Sequence, residues 1–279
     1  MNPVITMAPP AGWLPRAHSV LVVLARPGQE SADLGGLLYA FRRAGTGLAL
    51  LCLTRGEASP LNSTPAARLE AVRPWELQLA AGILGISQVT VASYPDAGLG
   101  WQPEAELREK IGREIRQHAA DLVLIIDPAA GGREDVAADD VAVAVAACAA
   151  ARRAGLPVLA HTADTVAGAW AFDLGPDAGT ARAIQKTAAA AHESQSSALP
   201  QLIRQLDLLG RREHLRWLVP PAWARPEPET QEEACPAAHR PPTGSSRTKP
   251  LTIIRRAPER ATLGDSFHSG YWRRGGLLG

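Results

Sequence analysis

Short apolar runs alternate with amphipathic stretches along residues 19–161. SVLVVLA (19–25) has no polar interruption after its first residue, the pattern of a strand covered on both faces. A helix is expected over 31–44, with Leu34, Leu37, Leu38 and Phe41 on one face. GLALLCLT (47–54) reads as the second strand, and a helix over 65–84 follows with Leu69, Val72, Leu77, Ala80, Ala81 and Leu84 at helical spacing. QVTVASY (88–94) is the third strand. A charged helix over 104–119 turns Leu107, Ile111 and Ile115 inward, and DLVLIID (121–127) is the fourth strand. An Ala/Val-rich helix over 139–154 leads to a fifth strand, LPVLAH (156–161). GAWAFDL (168–174) reads as an outer strand and 178–218 as mostly helical. Repeated strand–helix units with short connections imply right-handed crossovers. The expected fold is α/β, a Rossmann-like three-layer sandwich with a mainly parallel sheet and helices on both faces. Ligands in such folds bind beyond the carboxyl ends of the strands. That places the loops 26–30, 54–58, 95–99 and 127–140 on one functional rim.

At 279 residues and 46% hydrophobic content, the chain can bury one sizeable domain, assigned to 19–218. The 29 basic and 28 acidic residues nearly cancel, so charge gives no reason to expect nucleic acid or an anionic membrane as partner. No apolar run reaches membrane-spanning length. Residues 1–18 lack the basic start and apolar core of a secretion signal and read as a flexible lead; the expected location is cytoplasmic. The three cysteines, Cys52, Cys148 and Cys235, are far apart and suggest neither disulfides nor a thiolate metal site. From residue 219 to 279 the chain is rich in Pro, Arg and other polar residues, the composition of a disordered tail.

The rim loops carry little that is decisive singly. The strand 19–25 ends in Arg26-Pro27-Gly28-Gln29-Glu30, with no nucleophile, no His and one carboxylate. LTRGEAS (53–59) is a polar turn; Arg73 and Glu76 stand one helical turn apart, as an exposed ion pair would; Asp96 in YPDAGL (94–99) suits a turn. Taken in order, however, LTRGEA, R..EL..AA..LG, PD.GL, D..LIIDP and KTAAAAHESQ (186–195) resemble the PIG-L/LmbE-like N-deacetylases over about 19–218. These are zinc hydrolases that remove acetyl groups from N-acetylglucosamine conjugates and related amides.

The resemblance implies where a catalytic centre belongs, and the chain departs from it there. The family's first strand ends in His-Pro-Asp-Asp-Glu, in which the His and second Asp bind zinc and the first Asp is the general base. The corresponding residues are Arg26, Pro27, Gly28, Gln29 and Glu30. The family's later His-x-Asp-His supplies an oxyanion-stabilising His and the third ligand. Ala137, Asp139 and Asp140 fall at the first, third and fourth of these positions. A guanidinium has no lone pair to coordinate with and stays charged, and a Gln carbonyl is a poor zinc donor. Gly28 and Ala137 remove the base and the oxyanion group. No zinc or other cofactor is therefore expected. Arg73 and Asp96 match the family's sugar-holding Arg and Asp, either as ligand contacts or as an internal pair. His18, His118, His161 and His192 read as ordinary surface or capping residues, with His161 nearest the rim.

Three readings follow. The first is a pseudoenzyme that binds a small glycoside, with Arg26 in the metal position paired to Glu30, Asp139 or Asp140. The second is an active N-deacetylase or amidase with a metal site rebuilt from Asp139, Asp140, Glu30 and His161. The third is an anion or sugar-phosphate binding module that uses Arg26 at a helix N-terminus.

Overall fold

The apolar run at 19–25 forms β1 (Ser19–Leu24), which is buried from Val20 onward and is an inner strand, third in order, of a seven-stranded sheet. The structure, a computed structural model, describes residues 13–61, 65–130 and 134–224, apart from the side chains of 134–137; all fall in one unit, Met1–Pro228. The other strands are β2 (Gly47–Thr54), β3 (Gln88–Tyr94), β4 (Leu122–Ile126), β5 (Val158–His161), β6 (Trp170–Asp173) and β7 (Arg212–Val219). Their order is β3-β2-β1-β4-β5-β7-β6. The first five strands are parallel, whereas β7 runs antiparallel to both β5 and β6.

The helices are α1 (Gln29–Ala32), α2 (Gly35–Arg43), α3 (Ala66–Leu84), α4 (Glu104–Gln117), α5 (Glu134–Ala154), α6 (Ala178–Ala190) and α7 (Leu199–Leu209). Alternate residues of β1 point to opposite faces. Val20, Val22 and Leu24 pack with α2, α3 and α6, while Leu21 and Val23 pack with α4 and α5. This is the expected three-layer α/β sandwich. The parallel strands end together, and the chain order reverses between β1 and β4, which opens a crevice at their carboxyl ends.

Three local expectations need correction. The helix expected over 31–44 is two helices, α1 and α2, broken at Asp33 and Leu34. Helix α2 starts on Gly35 and Gly36, where a Cβ would fall 2.5 Å from Gln185 and 2.3 Å from Glu213. Close packing against these side chains fixes a new helix start. The segment 178–218 is mostly helical as expected, through α6 and α7, but α7 stops before Gly210 and the chain then turns into β7, a strand not expected there. Glu213 occupies a core-facing strand position at 1% exposure, so the hydrophobic alternation there is hidden by a charge. Finally, the ordered packing is wider than 19–218. Trp13, inside the expected lead, packs its ring 6.5 Å from Trp170 in a tilted contact, and 6.4 Å from Trp217 and 5.5 Å from Trp223 edge to face. Residues 1–12 and 225–279, which hold most of the expected lead and tail, lie outside the described residues.

Candidate functional site

Beyond the end of β1 the chain must leave the sheet and enter α1, and Gln29 organises that turn. Its Oε1 accepts the backbone N–H of Ala25 and of Arg26, each at 3.1 Å. Its Nε2 donates to Asp140 Oδ1 on α5 at 2.9 Å. The two side chains are thereby joined across the crevice between β1 and β4. Gly28, with φ 101°, makes the bend, in a region disfavoured for residues with a Cβ.

Arg26 lies beside them. Its Nε is 3.9 Å from Asp96 Oδ1 and its Nη2 is 3.9 Å from Asp139 Oδ2. Asp139 also accepts the N–H groups of Ala97 and Leu99, both at 2.9 Å, which pins the turn after β3. Burial pushes the carboxyls of Asp139 and Asp140 above the ordinary range, opposed by N–H donors and Arg26 for the first and by Gln29 and Arg26 for the second.

Glu30 is engaged elsewhere than the expected pairing with Arg26. At 0% exposure, its Oε1 lies 2.6 Å from His192 Nε2 and accepts Ser31 Oγ at 2.7 Å, and its Oε2 accepts the Gly28 N–H at 2.8 Å. Burial alone would raise the Glu30 pKa, but the His192 and Ser31 hydrogen bonds hold it below the usual carboxylate range. His192 is 3% exposed and is no surface histidine. It belongs to KTAAAAHESQ, a stretch that ties three elements together. Ser194 binds both carboxylate oxygens of Glu76 on α3, and Gln195 Oε1 accepts Ser59 Oγ at 2.6 Å. Glu76 and Arg73 are both buried, so they do not form the exposed helical ion pair.

Arg73 spends its guanidinium inside the protein, donating from Nη1 to the Gly56 carbonyl and from Nη2 to the Pro27 carbonyl. It thus locks the turns after β1 and β2 together. Asp96 accepts Thr54 Oγ1 at 3.3 Å and the Ala58 N–H at 3.0 Å. Both residues sit on the rim, with their hydrogen bonds directed to rim loops. Arg73 nevertheless lines one wall of a cleft of about 180 Å³ together with Arg26, Asp33, His192, Gln195 and Leu199.

The donor set can be tested against zinc. Of the three implied ligand positions, one is a guanidinium and one is an amide whose oxygen already accepts two N–H groups; the third, Asp140, accepts that amide's N–H. These residues do not fit the metal. The rebuilt set of Asp139, Asp140, Glu30 and His161 is not assembled either. His161 Nε2 is 2.9 Å from Glu213 Oε2, and among the described residues no group of three or more His, Cys, Asp or Glu side chains is placed to hold an ion. At the helix N-terminus where an anion site is expected, α1 has four residues and the Gly28 N–H is taken by Glu30. The side chain of Ala137, on α5, is outside those described. No helix among the described residues is long and apolar enough to cross a membrane.

Sequence comparison places residues 21–151 on the profile of the PIG-L family, described as GlcNAc-PI de-N-acetylase. The chain is 33% identical over 131 residues to a probable N-acetyl-alpha-D-glucosaminyl L-malate deacetylase 2 of Bacillus anthracis, which covers 46% of this chain and 58% of that protein. Among solved structures, N,N'-diacetylchitobiose deacetylase from Pyrococcus horikoshii superposes with a TM-score of 0.58 at 16% identity, over 73% of this chain and 84% of that one. The 4-carboxy-2-hydroxymuconate hydratase GalB from Pseudomonas putida gives 0.57 at 17% identity, over 72% and 96%. These two likenesses concern the fold.

Proposed function

We propose that this chain, whose residues 21–151 match the PIG-L family model, is a pseudoenzyme of the PIG-L/LmbE-like deacetylase family that binds a sugar-like ligand. The carrying observation is the 2.9 Å hydrogen bond between Gln29 and Asp140, which joins two implied ligand positions to each other. Arg26, at the third position, puts a positive charge where a dication would have to sit, and it faces Asp96 and Asp139 instead. Gly28 offers no proton acceptor at the base position. Metal activation of water, general base catalysis and oxyanion stabilisation each supply orders of magnitude in rate. The first two lack their residues, and Ala137 brings no polar group to the third.

The cleft beside this cluster supports the ligand half of the reading. Arg26, Gln195 and Asp33 offer hydrogen-bonding groups on one side, and Leu61, Leu199 and Leu202 offer an apolar wall. A sugar ring, polar at its edges and apolar on its faces, matches such a lining. The probe is an N-acetylglucosaminyl malate conjugate, the compound class named for the Bacillus anthracis relative. Calorimetry is expected to show saturable binding, and a deacetylation assay with and without added zinc is expected to show no release of acetate above the blank. Chelator-sensitive acetate release would overturn the reading.

A further inference from the structure

Next to the family cleft, and sharing Ala32, Asp33 and Leu202 with it, lies a second cleft of about 420 Å³. Its size is that of a small-molecule site. The floor is polar. His161 comes from the end of β5, Glu213 from β7, Arg182 and Gln185 from α6, and Asp33 from the break between α1 and α2. The outer wall is α7, with Leu202, Leu206 and Leu209, and Leu208 stands 87% exposed at the mouth.

Most of these polar groups are already satisfied. Arg182 donates from Nε to the Gly210 carbonyl, from Nη1 to Gln185 Oε1 and Glu213 Oε1, and from Nη2 to the Arg212 carbonyl. Gln185 Nε2 donates to the carbonyls of Ser31 and Ala32. His161 Nε2 is held by Glu213 at 2.9 Å. Asp33 is the exception. Among the described residues, its carboxyl makes no hydrogen bond, and it lies within electrostatic reach of His161 and of the carboxylates of Asp140, Glu30 and Glu213.

A carboxyl that lines a cleft, makes no hydrogen bond within the described protein and lies among other carboxylates attracts a cation. We propose that this cleft binds a primary ammonium ligand with a hydrocarbon stem, using Asp33 as counter-ion and the α7 leucines as the wall along the stem. An inorganic cation does not suit the place, since the neighbouring oxygens are committed and no group of three ligating side chains is formed among the described residues. An anion finds Arg182 already giving four hydrogen bonds within the protein and Glu213 beside it. The apolar wall selects for a stem, and the exposed Leu208 extends that wall to the entrance. The carboxyl is half-buried, and desolvation is the chief cause that pushes it up to about 6, which agrees with the assignment because perturbed carboxyls cluster at functional sites. Asp33 and Leu202 line both clefts, whereas Gln205, Leu206, Leu208 and Leu209 line only this one of the two, so the two readings are tested apart at Gln205.

The test is calorimetric titration of the full chain with n-hexylammonium, n-hexanol and hexanoate at about pH 7.5, where the ammonium is charged. Hexylammonium is expected to bind saturably, about tenfold or more tighter than either of the others, because only it pairs a positive charge with the carboxylate. Asp33→Asn is expected to lose about the same factor. Gln205 is exposed on α7 and lines this cleft alone, so Gln205→Trp should obstruct the ligand and leave N-acetylglucosaminyl malate binding unchanged. Equal affinity for hexanol or hexanoate, or unchanged hexylammonium affinity in Asp33→Asn with native circular dichroism, would overturn the proposal. Unchanged affinity in Gln205→Trp would overturn its location.

Discussion

Asp33 shows at the scale of one residue how a fold can carry a group that opposes it. Its carboxyl is pushed from 3.8 up to about 6, mainly by desolvation. A raised acid pKa means that the folded chain holds this proton more firmly than the unfolded chain. Stability is therefore lost as pH rises from about 4 through 6, and the loss above pH 6 is at most about 3 kcal/mol for two pK units. Asp33→Asn is expected to raise stability by up to that amount at neutral pH and by almost nothing at pH 4, with urea unfolding at the two pH values as the check. Arg26 works in the opposite sense. It is the closest described cation to Asp96 and Asp139, at 3.9 Å from each, so Arg26→Ala should destabilise by about 1–2 kcal/mol in the same assay. The long distances keep the figure below that of a tight buried pair. Neither Asp33 nor His192 stands out in the sequence, because what makes each unusual is its surroundings. Glu30, the partner of His192, is 162 positions away, and no local pattern reveals such a contact.

At the scale of elements, the turn between β1 and α1 is held by one amide. Gln29→Ala would leave the N–H groups of Ala25 and Arg26 without their acceptor and remove the link to Asp140. A loss of about 2–4 kcal/mol is expected, measured as a shift in urea midpoint at unchanged slope. Gln29→Glu keeps the acceptor and repels Asp140 instead, so its cost should shrink as pH falls. The strands β1 to β4 were legible because they are short, apolar and buried on both faces, a signal that needs no tertiary information. The break between α1 and α2 was not, since it depends on how closely Gly35 and Gly36 meet Gln185 and Glu213. Strand β7 was missed for a related reason. A buried Glu213, neutralised by Arg182 at 2.7 Å, occupies a position where sequence reasoning expects an apolar residue. Glu213→Ala should cost about 3–5 kcal/mol in thermal or urea unfolding, because it leaves Arg182 and His161 without their carboxylate.

At the scale of the molecule, the sheet and its two helical layers bring the loops after β1, β2, β3 and β4 to one rim, as the strand–helix alternation implies. The positions of the candidate site were legible through the ordered family motifs. Their wiring was not: Arg73 and Asp96 bond mainly to rim loops, Glu30 bonds to His192, and Gln29 bonds to Asp140. Together these contacts form a rim whose polar groups satisfy one another at the place where the family's chemistry needs open metal ligands. The account stands on that exchange, and metal content tests it most directly. Purified full-length protein, equilibrated with excess zinc, desalted and measured by elemental mass spectrometry, is expected to retain far less than one zinc per chain. A variant carrying Arg26→His, Gln29→Asp and Asp140→His is expected to retain about one, the occupancy of a single three-ligand site. Stoichiometric, tightly held zinc in the unmodified protein would contradict the account.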